Sequence, residues 1–186
     1  MRVGLLMGMV LLTALPVWAQ GTAAPAQGPT PDGPVLVFET EKGTFEISTY
    51  QSLAPKTVAH IVGLVRKGCY TGLRIHRVAR NFVVQFGDPL TRDMTKKDQW
   101  GTGGCSSPIG VGEFGKGLKH SVGMVSMAHK GDPKGADSQM FIVIGPASHL
   151  DGLHQIWGKI TSGMDVINKL AVPDRIIRAS VKGAAK

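Results

Sequence analysis

The sequence predicts a mainly β domain, and three observations predict it. Short runs rich in Val, Ile, Phe and Thr recur along the chain, several of them alternating apolar with polar. Glycine and proline, 25 and 11 of 186 residues, punctuate those runs at turns. Only two stretches, far apart, carry helical periodicity. Many short strands with two separated helices fit an antiparallel barrel or a sandwich, and periodicity does not choose between them.

In chain order, Val35–Thr40 and Thr44–Thr49 read as a hairpin that turns at Glu41-Lys42-Gly43. Phe45 and Ile47 alternate with Glu46 and Ser48, which buries one face of the second strand. Ala54–Lys67 is the clearest helix. Pro55 suits its first turn, where a missing N–H costs nothing. Val58, Ile61, Val62 and Val65 form its apolar face, Arg66 and Lys67 oppose the dipole at its end, and Gly68 stops it. Leu73–Phe86 alternates as strand material, and a Gly-rich connection runs to about Gly117. Val122–Ala128 and Met140–Ile144 read as strands joined by the turn Lys130-Gly131-Asp132-Pro133-Lys134-Gly135, and Ile156–Ile160 as another. Met164–Val172 is a second helix, with Met164, Ile167 and Leu170 on its apolar side, Val166 flanking and Pro173 as its stop. Ile176–Val181 is the closing strand. No internal repeat is visible.

Apolar residues make up 42% and charged ones 18%, enough for a packed core and against disorder. Residues 1–19 read as a signal peptide: Arg2 gives a positive start, Val3–Leu15 an apolar run, and Val17-Trp18-Ala19 a small-residue cleavage site. An uncleaved anchor is the alternative, although the run is short for a span of about 20 residues. Residues 20–33, rich in Ala, Gly, Pro and Thr, read as a flexible linker, and 34–186 as the folded domain. The expected location is therefore periplasmic or secreted, with no membrane span after signal removal.

The formal charge of +8 is spread along the domain. No zinc-finger spacing or RNA-binding aromatic motif accompanies it, so a solvated basic surface is expected rather than a nucleic-acid site. No signature of self-association is visible, so a monomer is expected. Cys69 and Cys105 are the only cysteines. Two free thiols are the expectation, and a disulfide is the alternative that an oxidising compartment would permit. The six histidines show no HExxH pair and no Cys/His zinc spacing, so neither metal nor cofactor is expected.

The most informative stretch is His76-Arg77-Val78-Ala79-Arg80-Asn81-Phe82-Val83-Val84-Gln85-Phe86-Gly87-Asp88. It places a fixed cation, an aromatic ring and an amide on β-type backbone. No nucleophile, base or carboxylate pair is evident there. Such a set suits a reaction without proton transfer or a covalent step. Rotation about an X-Pro bond, with a barrier of about 18–20 kcal/mol, is one.

This stretch resembles the signature of the cyclophilins, the cyclosporin-binding class of peptidyl-prolyl isomerases. Three further blocks follow in the family's order: Gly101-Thr102-Gly103-Gly104; Gly123–Ala128 with Asp137–Ile142; and His149–Ile160. The resemblance runs from about Pro34 to Val181. It implies a closed eight-stranded antiparallel β-barrel capped by two α-helices. It also implies a peptidyl-prolyl cis-trans isomerase acting on proline-containing unfolded or flexible polypeptides and assisting folding outside the cytoplasm. By the same resemblance, Arg77 is the catalytic arginine, Gln85 orients it and bonds the substrate backbone, and His154 edges the proline pocket. Phe82, Val83, Phe141 and Leu150 would wall that pocket, and His149 would be a further substrate-binding position. Gly101, Thr102, Ala128, His129 and Gln139 would line the adjoining peptide groove. Three positions depart from the pattern: Val83 replaces the usual Met, His129 the common Asn, and His149 the Trp of cyclosporin-sensitive members. Two other functions compete. One is a proline-peptide binding module or holdase with little turnover, which would tolerate loss of Arg77. The other is a hydrolase using Ser126 or Ser138, although neither lies in a G-x-S-x-G elbow.

Overall fold

The computed structural model of the chain describes residues 28–184. The expected signal peptide and most of the expected linker lie outside them. Asp32 and Gly33 already belong to the domain: both N–H groups donate to Thr49 O at 3.1 Å, and the Asp32 carboxylate accepts from Ser52 N–H.

One antiparallel sheet of eight strands forms the body: β1 (Val35–Thr40), β2 (Gly43–Thr49), β3 (Arg77–Ala79), β4 (Val83–Phe86), β5 (Met124–Met127), β6 (Met140–Val143), β7 (Ile156–Ser162) and β8 (Ile176–Val181). Their spatial order is β3-β4-β6-β5-β7-β2-β1-β8. The expected barrel is therefore not closed. The sheet curls into a half-barrel that stays open between β3 and β8. The physical reason is length. Three-residue β3 is too short to run alongside β8, and only the segment before it reaches across. There Arg74 bridges Arg175, and Ile75 N–H bonds Asp174 O at 2.9 Å.

The strand material of Leu73–Phe86 is divided for a local reason. Asn81 takes a left-handed conformation, φ 57°, which its short polar side chain tolerates. Phe82 N–H then bonds Ala79 O at 3.0 Å, and the chain doubles back as the β3–β4 hairpin. The expected helices are present as α1 (Pro55–Arg66) and α2 (Met164–Lys169). Val58, Ile61, Val62 and Val65 of α1 are buried as the periodicity requires. No side chain on Ala54 caps this helix. The Glu113 carboxylate does so from the Gly-rich connection, accepting Lys56 N–H and Thr57 N–H at 3.0 and 2.8 Å. Helix α2 ends at Lys169 rather than Val172, because Leu170 is already extended (ψ 139°).

Two apolar clusters lie on opposite faces of the sheet. Inside the curl, Leu36, Phe38, Phe45, Ile47, Val84, Phe86, Val125 and Ile142 pack with α1 and Trp157. On the outer face, Tyr50, Val83, Met124, Phe141, Val143 and Ile156 form a smaller cluster. The strand period of two sorts these residues: Val84 and Ile142 point in while Val83, Phe141 and Val143 point out.

The expectation of two free thiols is overturned by a Cys69–Cys105 disulfide with Cα atoms 6.2 Å apart. Gly68, φ 72°, turns the chain sharply after α1 and brings Cys69 to the Gly-rich connection. Ser138 Oγ holds the Cys105 N–H at 3.1 Å. The bridge closes a loop across a separation of 36 residues, which is worth about 3–4 kcal/mol in the chain-entropy account. Replacing both cysteines with Ser should lower unfolding free energy by about that amount, read by denaturant titration. Equal midpoints for the oxidised protein and the double variant would refute it.

Candidate active site

The register brings the site together. Arg77 pairs with Gln85 across β3–β4, Gln85 with Phe141 across β4–β6, and Phe141 with Ser126 across β6–β5. Cross-strand partners share a face, so one row on the outer face carries a cation, an amide and an aromatic ring. A cavity of about 150 Å³ opens there. Phe82, Val83, Phe141 and Leu150 supply its apolar walls, Arg77 and Gln85 one lip, and Ala128, His129 and His154 the other. This volume suits one small ring rather than a drug-sized ligand.

A second hollow of about 390 Å³ adjoins it, sharing Gln85, Ala128 and His129. Gly101, Thr102 and Gln139 line it, as expected of the groove. One expected substrate-binding residue stands apart from both hollows. His149 lines neither hollow: it is exposed and stacks on Phe82, with ring centroids 5.2 Å apart and planes at 25°. Its position in the turn Ser148–Leu150 puts it behind the wall, not in it.

Arg77 is exposed, and no ion pair among the described residues occupies it. Its Nη1 lies 3.5 Å from Gln85 Oε1, and its Cζ lies 5.8 Å from the centroid of the Phe82 ring. A polar chain positions it from behind. Gln85 Nε2 donates to Gln139 Oε1 at 3.2 Å, and Gln139 Nε2 donates to Gly103 O at 2.8 Å. The guanidinium therefore has an oriented neighbour and free donors facing the cavity.

His154 donates Nδ1–H to Met127 O at 3.0 Å, sets its edge against Phe141 (5.3 Å, 82°) and stacks on His129 (4.2 Å). Burial lowers its pKa below the ordinary imidazole value, partly offset by the Met127 carbonyl and reinforced by His129. At neutral pH it is an uncharged shape and hydrogen-bonding group. Burial likewise lowers His76 and His120. These imidazoles bind protons more weakly folded than unfolded, so their contribution to stability is fully present above the unfolded value, about pH 6.5, and is lost as pH falls below it through the lower folded values. Melting temperature should drop between pH 7 and pH 5, and a flat profile there would contradict one buried and two half-buried neutral rings.

The hydrolase reading fails on burial. Ser126 and Ser138 are both 0% exposed, and their hydroxyls donate to Gln155 O and Gly87 O. Neither oxygen can reach a substrate.

Sequence reasoning missed Asp88. It is fully buried, and its carboxylate accepts the N–H groups of Leu90, Gly101 and Gly103, so it anchors the glycine loop to the end of β4. The dipeptide Asp88-Pro89 was the available signal, an Asx-type turn opening a short 3-10 segment, Pro89–Arg92. A side chain at position 103 would collide with that carboxylate, which explains the glycine.

Comparison with known proteins agrees with this geometry. The family model described as cyclophilin type peptidyl-prolyl cis-trans isomerase/CLD matches residues 35–182. A probable peptidyl-prolyl cis-trans isomerase of Brucella abortus is 35% identical, over 93% of this chain and 93% of its own length. The peptidyl-prolyl cis-trans isomerase-like 1 of Aspergillus fumigatus is 39% identical over 74% of this chain and 81% of its own. In fold, a cyclophilin-type isomerase of Cryptosporidium parvum superposes with a TM-score of 0.70 at 23% identity, covering 82% of this chain and 99% of that one. A family match across nearly the whole folded domain, reinforced by a full-length relative, leaves one assignment: this chain belongs to the cyclophilin-type peptidyl-prolyl cis-trans isomerases.

Proposed function

We propose that this isomerase acts on proline-containing, unfolded or flexible polypeptides outside the cytoplasm, where it assists their folding. The observation that carries the chemistry is the Arg77 guanidinium, held by Gln85 and without an ion pair among the described residues, at the lip of an apolar cavity sized for one pyrrolidine ring. Amide resonance keeps the prolyl nitrogen planar and sets the rotational barrier. In the half-rotated form that nitrogen is pyramidal and its lone pair accepts a hydrogen bond. Arg77 donates more strongly to that form than to either planar isomer, which is differential stabilisation of the transition state. Phe82, Val83, Phe141 and Leu150 hold the ring while the preceding carbonyl turns. Gln85 keeps the guanidinium aimed and bonds the peptide backbone. The cycle needs no proton transfer, in keeping with a cation that stays charged at any working pH and a neutral His154.

The choice of substrate rests on the two adjoining hollows, one for the ring and one for a neighbouring residue. A solved Cryptosporidium parvum cyclophilin-type isomerase was crystallised in the presence of the dipeptide Ala-Pro. The extracytoplasmic setting rests on the positively started apolar run of residues 1–19 and is consistent with the Cys69–Cys105 disulfide. Fractionation of cells expressing the full chain tests the location, and recovery only from cytoplasm would refute it. Line-shape exchange on a proline peptide tests the activity. Tight binding without accelerated exchange would replace the enzyme with a peptide-binding module.

A further inference from the structure

Beneath the proline cavity lies a buried titratable group that the isomerisation does not use. His120 is 4% exposed. Its Nδ1 lies 2.9 Å from Asp151 Oδ1, which also accepts the His120 backbone N–H at 2.8 Å. Its Nε2 lies 3.1 Å from Ser126 Oγ, and that hydroxyl lies 2.9 Å from Gln155 O. Counting protons separates two states. With His120 neutral and Nδ1–H on Asp151, the Ser126 proton goes to His120 Nε2, and Gln155 O keeps the Met127 N–H at 3.0 Å. With His120 protonated, both ring nitrogens donate, Ser126 accepts one bond and gives its proton to Gln155, and every group is satisfied. Both arrangements satisfy every group, and the Ser126 hydroxyl turns between His120 Nε2 and Gln155 O.

The same ring faces the active site. His120 stacks on Phe141 with centroids 6.0 Å apart and planes at 20°. Phe141 is the wall of the proline cavity and the partner of His154. An imidazolium within about 6 Å of an aromatic face attracts it, more strongly when the pair is desolvated.

We propose that His120 is a proton-dependent positioning residue for Phe141: by taking up a proton between Asp151 and Ser126, it pins the aromatic wall and tightens the grip on proline. The proposal rests on the isomerase reading and adds control of that site by pH. The charged and titratable groups around His120 are few. Asp151 faces it from the loop after Leu150, and Lys119 Nζ lies 3.5 Å from the other oxygen of Asp151. His149 and His154 add positive charge nearby when protonated. From the sheet, β5 presents Ser126 and β6 presents Phe141, neither of them ionisable in this range. Burial keeps the free protein's His120 below the ordinary value, with Asp151 pulling partly back. Protonation therefore belongs to the acid side of neutrality, and a peptide that prefers the pinned wall must raise the His120 pKa by linkage.

The test measures kcat and KM for a proline peptide from pH 5 to 8 in the wild type, His120→Gln and Asp151→Asn. Imidazole nitrogen shifts of wild-type His120 are recorded with and without saturating peptide. The wild-type KM should fall below that of His120→Gln by about three- to tenfold at the acid end and converge with it near pH 8, with the kcat ratio constant. Peptide should raise the His120 pKa by about 0.5–1, the same coupling read from the other side. The imidazole shifts separate the titration of His120 from that of His154, whose pKa His120 itself lowers. Asp151→Asn should lose the same acid-side advantage. A KM ratio independent of pH, or a His120 pKa unmoved by peptide, would overturn the proposal. The second readout needs no variant to fold. Failure of the wild type to accelerate exchange at all would instead sink the isomerase reading.

Discussion

Arg77→Ala is expected to lower kcat by about 10²–10³, with KM changed only slightly. The magnitude is that of removing one preorganised donor aimed at charge that appears only in the transition state, about 2.7–4 kcal/mol. The division between kcat and KM follows from where the contacts lie. The ring is held by Phe82, Val83, Phe141 and Leu150 in ground and transition state alike, so uniform binding survives the substitution. Arg77→Lys should recover only part of the rate, because a point charge on a flexible stem loses the planar fork and its bond to Gln85. Stability should hardly move, since the side chain is exposed and makes no ion pair among the described residues. Exchange spectroscopy on a proline peptide, with a thermal melt as control, reads all three. Comparable rates for wild type and Arg77→Ala would eliminate arginine-based catalysis.

The strands and α1 were legible because burial imposes a period on them. Val35–Thr40, Ile176–Val181 and the apolar face of α1 appear where that period places them. What escaped was set by single residues or by distant partners. The β3–β4 turn depends on the left-handed Asn81, which an alternating pattern passes over. The gap between β3 and β8 depends on the shortness of β3, and element ends are the part that periodicity fixes least. The disulfide needed the spatial path from Gly68 to the glycine loop, and neither cysteine's neighbours in sequence reveal it. At the site, the structure gathers Arg77, Gln85, Phe82, Phe141 and His154, which the family motifs singled out, around one cavity. His149, singled out by the same motifs, stacks on Phe82 and lines neither hollow. The buried groups Asp88, His120 and Ser126 were unreadable as support, because their role lies in hydrogen bonds to segments far along the chain.

Asp88→Ala is expected to have the largest effect on the fold of the site, destabilising the protein by about 3 kcal/mol or more. The carboxylate is fully buried and collects three backbone N–H groups, from Leu90, Gly101 and Gly103. An alanine leaves those donors without their acceptor and opens a void where the carboxylate stood. The glycine loop would then hang on the disulfide at Cys105, the Cys105 N–H bond to Ser138 Oγ, the Ser106–Asp137 bonds and Gln139. The consequence reaches catalysis by a defined route. Gly103 O holds Gln139, Gln139 holds Gln85, and Gln85 faces Arg77, so a displaced loop disorders the group that aims the guanidinium. Both kcat and KM should worsen, in contrast to the kcat-only loss at Arg77. Asp88→Asn should fall between the two, since its one carbonyl oxygen can accept two of the three N–H groups while its amide confronts the third. Denaturant titration gives the stability ranking, and peptide exchange gives the kinetic one. A stable Asp88→Ala protein with wild-type KM would show that the glycine loop is held by its other contacts and that the buried carboxylate is dispensable to the groove.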